Sequence, residues 1–577
     1  MSTDREEIEP TRGVSRRRFL GGVGAAAALA TGGLSLAGRG AEAAPAGGDE
    51  AGDLAAVTGN AAASPGIQRR NASWQFRRSA ADNNRFQPLP AHPDNGDEAR
   101  YANRLGSYSK ALPHNSFGEV DPTAYGSLLR ALSTRRPGDF DAIVLGGSAK
   151  LTNPQSGLAF DLEGADSHAL AEPPAPALAS AEEAGEAAEL YWMSLLRDVD
   201  FNDYASDPTA AAAAAELSAL VDFRGPKDGS GHVTAQTLFR DSFPGCTVGP
   251  WLSQFMLLPT PFGTEYVVRQ SRVSLPGDDH MTSYSAWLAV QDGTANDGAI
   301  QWDPVRRFLR NGRDIASWVH FDVLFQAYFN ACLILLEPPD PTDAATGGGI
   351  GCPLNPGNPY RGNPTQIGFG TFGAPAIKAL MCEVASRALK AQWYQKWFVH
   401  RRLRPEAFGG VLHVQKTSGR YPAGTLHGDI LGSAAVAEVK AHTGTYLLPM
   451  CFPEGSPTHP AYGSGHATVA GACITVLKAL FDETFAIPHP KVATADGLAL
   501  DDVAGPALTV GGELNKLASN ISQGRNIAGV HWRTDADNAM RLGEAVAISI
   551  LRDQRAGYNE TFHGYTFTKL DGTRVTV

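Results

Sequence analysis

The sequence lacks the features that mark several large classes of protein. Its six cysteines lie far apart, and no CxxC or Cys/His cluster has the spacing of zinc ligands, which argues against a structural zinc site. The net charge of −11 argues against a nucleic-acid partner, because a phosphate backbone requires a basic face. Sustained β alternation and internal repeats are also absent from the sequence. A local cluster of cations nevertheless remains compatible with an acidic chain.

Long apolar runs are scarce, and only residues 315–336 approach the length of a membrane span. Asp322, Gln326 and Asn330 recur in this run every four residues, on one face of a helix. A helix that faces lipid would not tolerate such a polar row. The run therefore predicts one buried core helix, and we expect no membrane partner.

The N-terminal segment indicates export. Residues 15–20 read SRRRFL, a twin-arginine signature, and a weakly apolar run and the small residues of AEA (41–43) follow. The alternative is a basic tail before a membrane helix, but the run is too short and too rich in glycine for a stable span. We expect residues 1–43 to be a signal peptide, residues 44–66 a flexible linker, and the mature protein periplasmic or extracellular.

Helical periodicity dominates the rest of the chain. We expect a mainly helical N-terminal region (67–370), with a short strand near 142–145, and a C-terminal helical region (371–577) that forms one compact unit with it. Helices are predicted at 181–197, 209–220, 374–403, 464–481, 509–527 and 534–551. The predicted fold class is mostly α, with a core of two four-helix-bundle-like units, long loops and little β.

The stretch WYQKWFVHRRLRP places an aromatic ring and three cationic or titratable side chains at helical spacing. Trp393, Lys396, His400 and Arg404 are three, four and four residues apart, which would align them on one stripe of a helix. Lysine offers a point charge and arginine a planar fork, so the pair suits an oxyanion. The alternative is a solvated basic face, because two further arginines follow His400.

The stretch SPTHPAYGSGHA opens a predicted helix. Backbone amides at the start of a helix, together with its dipole, favour an anion. Ser464 can donate its hydroxyl, Gly465 lets an oxyanion approach the backbone, and His466 is placed to act as an acid–base group. His459 lies in a turn between two prolines. A serine-capped helix with incidental histidines is the alternative.

The stretch GRNIAGVHWRTD supplies a third cation and a third histidine. Arg525 and His531 would lie about 240° apart on one continuous helix, so they can share a site only if the helix ends between them. Gly529 allows such an end. Asp535, four residues after His531, can accept from the second ring nitrogen and fix the tautomer. The alternative is a His–Asp pair that caps the last helix.

The three motifs in this order resemble those of the vanadium-dependent haloperoxidases, which belong to the wider phosphatidic-acid-phosphatase type 2 superfamily. The likeness covers about residues 370–550 and is nearest to the algal bromoperoxidase branch, through the run KWFVHRRLRPE and the histidine of SPTHP. One departure is Gly524, which stands where the family usually has a serine before the arginine of the third motif.

The resemblance implies a vanadate cofactor, with hydrogen peroxide and a halide as substrates and hypohalous acid as product. It implies that His531 is the metal ligand. The residues that would hold the vanadate oxygens are Lys396, Arg404, Ser464, Gly465 and Arg525. Small organic acceptors and a homo-oligomeric assembly are implied as well.

The resemblance also implies roles in catalysis. His466 would take a proton from hydrogen peroxide, and Lys396 would polarise the peroxide before the halide attacks. Trp393 and His459 would line the approach of the halide, and a histidine at position 459 favours bromide. Asp535 would accept a hydrogen bond from the second ring nitrogen of the metal ligand, His531.

Two other functions remain compatible with parts of the pattern. In an acid phosphatase with the same pocket, His531 would be the nucleophile and His466 the acid for the leaving group. Trp393, His459 and the length of the chain disfavour this interpretation. An exported binding protein that kept the fold without activity would be expected to have lost a charge or a histidine from the motifs, and none is lost.

Overall fold

The computed structural model describes residues 64–339 and 348–577. The predicted signal peptide, and the predicted linker up to residue 63, lie outside the described residues. The last residues assigned to the linker begin a helix, α1, because Pro65 occupies its first position. Residues 73–577 form one compact unit.

Helices make up most of the regular structure, which confirms the predicted mostly α class. In chain order they are α1 (Pro65–Arg85), α2 (Asp97–Arg100), α3 (Pro122–Thr134), α4 (Pro137–Asp141), α5 (Ala181–Leu195), α6 (Pro208–Ala219), α7 (Gln254–Leu257), α8 (Tyr284–Gln291), α9 (Gly312–Phe321), α10 (Gln326–Leu336), α11 (Ala374–Tyr394), α12 (Pro405–Ser418), α13 (Gly428–Leu431), α14 (Ala434–Thr443), α15 (Gly465–Leu480), α16 (Val510–Ile527) and α17 (Arg533–Gly557). Short 3-10 helices lie at Pro154–Leu158 and Ser167–Ala169.

The strands in the described residues form three separate two-stranded antiparallel sheets. They pair β1 (Thr260–Phe262) with β2 (Glu265–Val267), β3 (Lys491–Ala493) with β4 (Leu500–Asp502), and β5 (Thr566–Thr568) with β6 (Arg574–Thr576). The strand predicted near 142–145 is wrong. Ile143 and Leu145 pack against an apolar cluster that includes Trp397, whereas Val144 points to solvent. Buried and exposed side chains therefore alternate here as in a strand, but the segment pairs with no other strand in the described part of the chain.

Helix α15 lies at the centre of the core and is buried along nearly all of its length. It packs against α11, α16 and α17. Its contact with α17 is very close, because a Cβ at Gly471 would lie 1.9 Å from the carbonyl oxygen of Met540, and one at Gly543 would lie 2.0 Å from that of Thr468. Glycine at these two positions lets the helix backbones touch, which fixes the N-terminus of α15 relative to α17.

The single core helix predicted at 315–336 is wrong. The chain bends by 98° between α9 and α10, and no single helix among the described residues is long and apolar enough to cross a membrane. Asp322 is extended at the bend, with φ −64° and ψ 147°, and its carboxylate contacts His466. The side chain of Gln326 accepts from the backbone N–H of Val323 at 3.2 Å. The polar residues that looked like one helical row therefore build the corner between two helices.

Candidate active site

The first motif does not form one helical stripe, which corrects the prediction of a helix over 374–403. Helix α11 ends at Tyr394 and is followed by a π-helical turn (Gln395–His400) and by Arg401 in the left-handed region, at φ 40°. Arg404 is extended and precedes α12, because the residue before a proline is disfavoured in the helical region. The chain thus turns between Lys396 and Arg404.

The turn brings Lys396 and Arg404 into one cluster, in which each side chain is held by carbonyl oxygens from other parts of the chain. The buried Lys396 ammonium donates to the carbonyl oxygens of Pro460 at 2.9 Å and Ala461 at 2.8 Å. The buried Arg404 guanidinium donates to the carbonyl oxygens of His459 at 2.9 Å and Val530 at 2.6 Å. The first motif is therefore bonded directly to both of the other motifs.

His400 lies outside this group of cations. Its ring makes an edge contact with that of Tyr462 at 4.7 Å, and neither ring nitrogen has a hydrogen-bond partner in the described structure. Burial lowers its pKa to about 3, so the ring is neutral. We therefore exclude His400 from the site, although its spacing placed it on the predicted stripe.

His531 is fully buried between an acceptor and a cation. The α16 helix ends at Ile527 and Gly529 adopts φ 86°, so the predicted break between Arg525 and His531 is confirmed. Nδ1 of His531 donates to Oδ2 of Asp535 at 2.9 Å, and Nε2 lies 3.1 Å from Nη1 of Arg404. Burial, and then the charges of Arg404, Lys396 and Arg525, hold the pKa of His531 well below its usual range. The ring is neutral, with its Nε2 lone pair towards the cations.

Ser464 and Gly465 form the predicted start of helix α15. Ser464 caps the helix, and its backbone N–H donates to the carbonyl oxygen of Asp535 at 2.8 Å. A Cβ at Gly465 would lie 3.1 Å from the ring of Trp393, so glycine lets the indole pack directly against the helix start. The indole Nε1 donates to the carbonyl oxygen of Thr152 at 3.0 Å, which fixes the plane of the ring.

His459 and His466 face different parts of the site. The ring of His459 lies 4.8 Å from that of Trp393, and its Nδ1 lies 2.9 Å from Nη2 of Arg404. Burial and the Arg404 charge hold the pKa of His459 well below its usual range, so its ring is neutral. His466 contacts Oδ1 of Asp322 through Nε2 at 2.9 Å. Burial lowers the pKa of His466, whereas the Asp322 carboxylate acts to raise it.

Three buried cations of the site form no ion pair with any carboxylate in the described part of the chain: Lys396, Arg404 and Arg525. Arg525 donates through Nη1 to the carbonyl oxygen of Val319 at 2.8 Å, and its buried Nε has no partner among the described residues. Burial lowers the pKa of Arg404 and of Arg525 to about 10 and that of Lys396 well below its usual value. Clustered cations held by neutral carbonyl groups leave positive charge available to a bound anion.

Two groups of residues that contact the site were not predicted from the sequence. The first is Asp322, whose position in an apolar run was the available signal. The second is a buried ion-pair network around Arg402, which donates to Asp535 at 2.9 Å, to Glu186 at 2.7 Å and to Glu183. The two glutamates lie three residues apart on α5, far from the motifs in sequence, and nothing in their spacing indicated this contact.

Replacing Arg402 by methionine is expected to destabilise the fold by about 3–5 kcal/mol, because removing one partner leaves buried charges uncompensated. Glu183, Glu186 and Asp535 would all lose a cation at a position that water does not reach. The measurement is the midpoint of unfolding in urea. Arg224→Met is the control, because this exposed arginine pairs with Asp222 at the surface, where ion pairs contribute about 0–1 kcal/mol. Equal midpoints for the two variants would contradict the expectation.

Fold and site together define a helical protein in which the buried cations Lys396, Arg404 and Arg525 cluster beside the neutral rings of His459 and His531. This cluster, with the start of α15, is called the cradle below. The family model for the second helical-bundle domain of VCPO matches residues 381–559. The chain is 36% identical to the vanadium-dependent bromoperoxidases of Corallina pilulifera and Corallina officinalis, over 88% of this chain and 98% of each relative. It is 34% identical to the vanadium-dependent bromoperoxidase of Ascophyllum nodosum, over 80% of this chain and 85% of the relative.

A solved structure agrees with these relatives. The homohexameric structure of the second vanadate-dependent bromoperoxidase (AnII) from Ascophyllum nodosum matches with a TM-score of 0.82 and 31% sequence identity, over 89% of this chain and 90% of that one. The chain therefore belongs to the vanadium-dependent haloperoxidases, and it is an enzyme of that class. The resemblance predicted from the three motifs is confirmed.

Proposed function

We propose that the protein oxidises bromide with hydrogen peroxide, with vanadate bound in the cradle. The observation that carries this proposal is the cluster of buried cations around the neutral His531, which have no carboxylate partner among the described residues. The orphaned Nε of Arg525 fits an oxyanion, since a buried donor without a partner is costly unless a ligand accepts from it. The residues that would hold vanadate are Lys396, Arg404, Ser464, Gly465, Arg525 and His531.

His531 is prepared to bind the metal. Its Nδ1 proton is fixed on Asp535, so Nε2 keeps its lone pair and would be the ligand atom. Asp535 is itself fixed by Arg402 at 2.9 Å, which keeps the carboxylate in place. When bound, vanadate supplies a Lewis-acidic centre that activates hydrogen peroxide towards the halide.

His466 is suited to accept the proton of hydrogen peroxide. Oδ1 of Asp322 accepts from Nε2–H of His466, which leaves Nδ1 unprotonated and able to act as the base. Its side chain keeps 16% of its surface exposed, whereas Lys396 and Ser464 are fully buried. Of these three residues, His466 is therefore the most accessible to solvent. The buried ammonium of Lys396 would polarise the bound oxidant.

The preference for bromide is supported by two observations. The relatives with the largest shared length are named bromoperoxidases. Position 459 holds the histidine that the family resemblance associates with bromide, and its neutral ring lies against Trp393 and Arg404. We propose that Trp393 and His459 line the path by which the halide reaches the oxidant. Small organic molecules would then accept the halogen.

The proposal is tested by bromination of a phenolic dye by the apo-protein, with hydrogen peroxide and bromide, before and after orthovanadate is added. We expect bromination only when vanadate is present, and a lower rate when chloride replaces bromide. Hydrolysis of p-nitrophenyl phosphate is measured in parallel. Phosphate-ester hydrolysis that vanadate inhibits, without any bromination, would show that the cradle serves phosphoryl transfer instead.

We also propose that residues 1–43 direct export by the twin-arginine route and that the mature enzyme is a homo-oligomer. The first proposal is supported by the SRRRFL motif and the small residues near position 43. The second is supported by the homohexameric state of the Ascophyllum nodosum structure. Within the mature chain, residues 371–577 would carry the vanadate site, and residues 67–370 would supply supporting contacts.

A further inference from the structure

Glu172 is a buried carboxyl group that borders the cradle without belonging to it. The residue is 3% exposed, and Oε2 accepts from Nε2 of Gln392 at 2.8 Å. Oε1 lies against Gly463, where a Cβ would approach it to 2.6 Å. Glu172 forms no ion pair with any cation in the described part of the chain. A carboxylate in such surroundings is poorly stabilised, because burial disfavours its charge.

The segment that carries Glu172 is bonded to both sides of the cradle. The carbonyl oxygen of Leu170 accepts from Nε2 of Gln395 at 2.8 Å, next to Lys396 in the chain. The carbonyl oxygen of Pro173 accepts from the hydroxyl of Tyr462 at 2.7 Å, two residues before Ser464. The segment is therefore held in place, and a change of charge at Glu172 acts at a fixed position.

Gln392 provides a second connection to the cradle. It lies four residues before Lys396, and its Oε1 accepts from Oγ1 of Thr468 at 2.7 Å. Thr468 lies on the first turn of α15, and its hydroxyl also contacts the carbonyl oxygen of Ser464 at 2.8 Å. Glu172, Gln392 and Thr468 thus form a continuous polar path beneath the start of α15.

Among the described residues, Lys396, Asp535 and Tyr462 are the titratable groups that interact with Glu172. Lys396, from the π-helical turn, is the cation whose charge favours the carboxylate, and Asp535, from α17, opposes it. Asp535 is compensated by its own bond to Arg402, at 2.9 Å. Tyr462 stays neutral, because burial holds its pKa well above the usual value. Burial raises the pKa of Glu172 to about 7, against the bond from Gln392 and the charge of Lys396.

We propose that Glu172 is the proton-binding residue that couples the oxyanion affinity of the cradle to pH. This inference rests on the proposed function, because it requires that the cradle bind a tetrahedral oxyanion. An ionised Glu172 offsets the charge of Lys396 and weakens anion binding, whereas a protonated Glu172 leaves that charge fully available. Glu172 is thus a positioning residue, which acts through Lys396 without touching the anion.

Linkage gives the sign of the effect. If protonation of Glu172 strengthens anion binding, then anion binding must favour the protonated form by the same factor. The apo-protein should therefore take up protons at Glu172 when it binds an oxyanion near pH 7. Above this pH the affinity for the oxyanion falls, because Glu172 is ionised in the apo-protein and must take up a proton from a more alkaline solvent when the anion binds.

The experiment is calorimetric titration of the full-length apo-protein with molybdate, a tetrahedral dianion whose charge stays constant across the range. Titrations in two buffers with different ionisation enthalpies give the number of protons taken up. We expect the affinity of the wild type to fall by roughly 5-fold or more as the pH rises through 7. Glu172→Gln protein, in which the amide mimics the protonated carboxyl group, should keep its molybdate affinity as the pH rises. It should also take up fewer protons on binding than the wild type.

Glu544→Gln is the matched control. Glu544 is also buried, burial also raises its pKa, and it accepts from the backbone N–H of Leu570 at 2.7 Å. Glu544 lies on α17, but its hydrogen bond to Leu570 does not connect it to the cradle. The molybdate affinity and proton uptake of this variant should therefore depend on pH as in the wild type. A purely structural role of Glu172 would change the affinity by the same factor at every pH and would leave proton uptake intact.

Two results would overturn the inference and leave the proposed function standing. The first is wild-type protein that binds molybdate near pH 7 without proton uptake, a result that does not depend on any variant. The second is Glu172→Gln protein with the proton uptake and pH dependence of the wild type. Failure of the wild type to bind molybdate at any pH would instead refute the oxyanion cradle, and the inference with it.

Discussion

His531→Ala protein is expected to fold normally and to lose its vanadate on dialysis. The substitution removes the side chain that we propose as the metal ligand, while Lys396, Arg404 and Arg525 keep their carbonyl partners. Removing a residue that only supports a metal ligand typically costs 10–100-fold in affinity, so loss of the ligand itself should cost at least about 100-fold. The measurement is the vanadium content after exhaustive dialysis, together with bromination activity, which should disappear.

His400→Ala is the control for this variant. His400 is a second buried histidine in the same region, and its neutral ring contacts Tyr462 without bonding to the cradle. Its removal should leave the vanadium content unchanged. Stoichiometric vanadium in dialysed His531→Ala protein would show that another side chain is the metal ligand.

His466→Ala protein is expected to retain vanadate and to lose about 10²–10⁴-fold in kcat, which is the usual contribution of a general acid–base group. The reason is that His466 contacts Asp322 and keeps part of its ring at the surface, whereas the groups that would hold vanadate lie deeper. Vanadium content and steady-state kinetics in hydrogen peroxide are measured on the same sample. Full turnover would remove His466 from the mechanism, and loss of vanadium would assign it to the cradle.

Asp322→Asn tests the same group through its pH dependence. The Asp322 carboxylate acts to raise the pKa of His466, so the variant should have a lower His466 pKa. A base with a lower pKa stays unprotonated to lower pH. The acidic limb of the rate profile should therefore move to lower pH, with vanadium content unchanged. An unchanged profile would mean that the limb belongs to another group.

Local chemistry made part of this structure predictable. Ser464 caps α15, and the helical path of α16 ends before His531, where Gly529 adopts a positive φ, as their residue types indicated. Each of these features depends on a few neighbouring residues, which the sequence shows directly. The start of α15 and the end of the helix in the third motif could therefore be placed before any tertiary contact was known, whereas α12 and α14 were not predicted.

Other features depend on contacts between distant residues. The helical wheel grouped Lys396 with Arg404 for the wrong reason, because the two meet through a turn in the chain, and the same wheel wrongly included His400. At the bend between α9 and α10, the carboxylate of Asp322 contacts a histidine 144 residues away. Periodicity carries no information about such partners, and Glu172 lay in a stretch without any motif.

Apart from the ring nitrogens of His459 and His531 beside Arg404, the acceptors that hold the three cations of the cradle belong to the polypeptide backbone in the described part of the chain. Carbonyl oxygens of residues 319, 459, 460, 461 and 530 perform this task, and each would be present with any amino acid at its position. Genetic drift at Val319, Ala461 or Val530 can therefore alter volume and polarity around the pocket without removing a bond to a cation. Selectivity for halide and substrate can therefore change during evolution while the charges of the cradle are kept. For the same reason, these three positions are suitable for saturation mutagenesis.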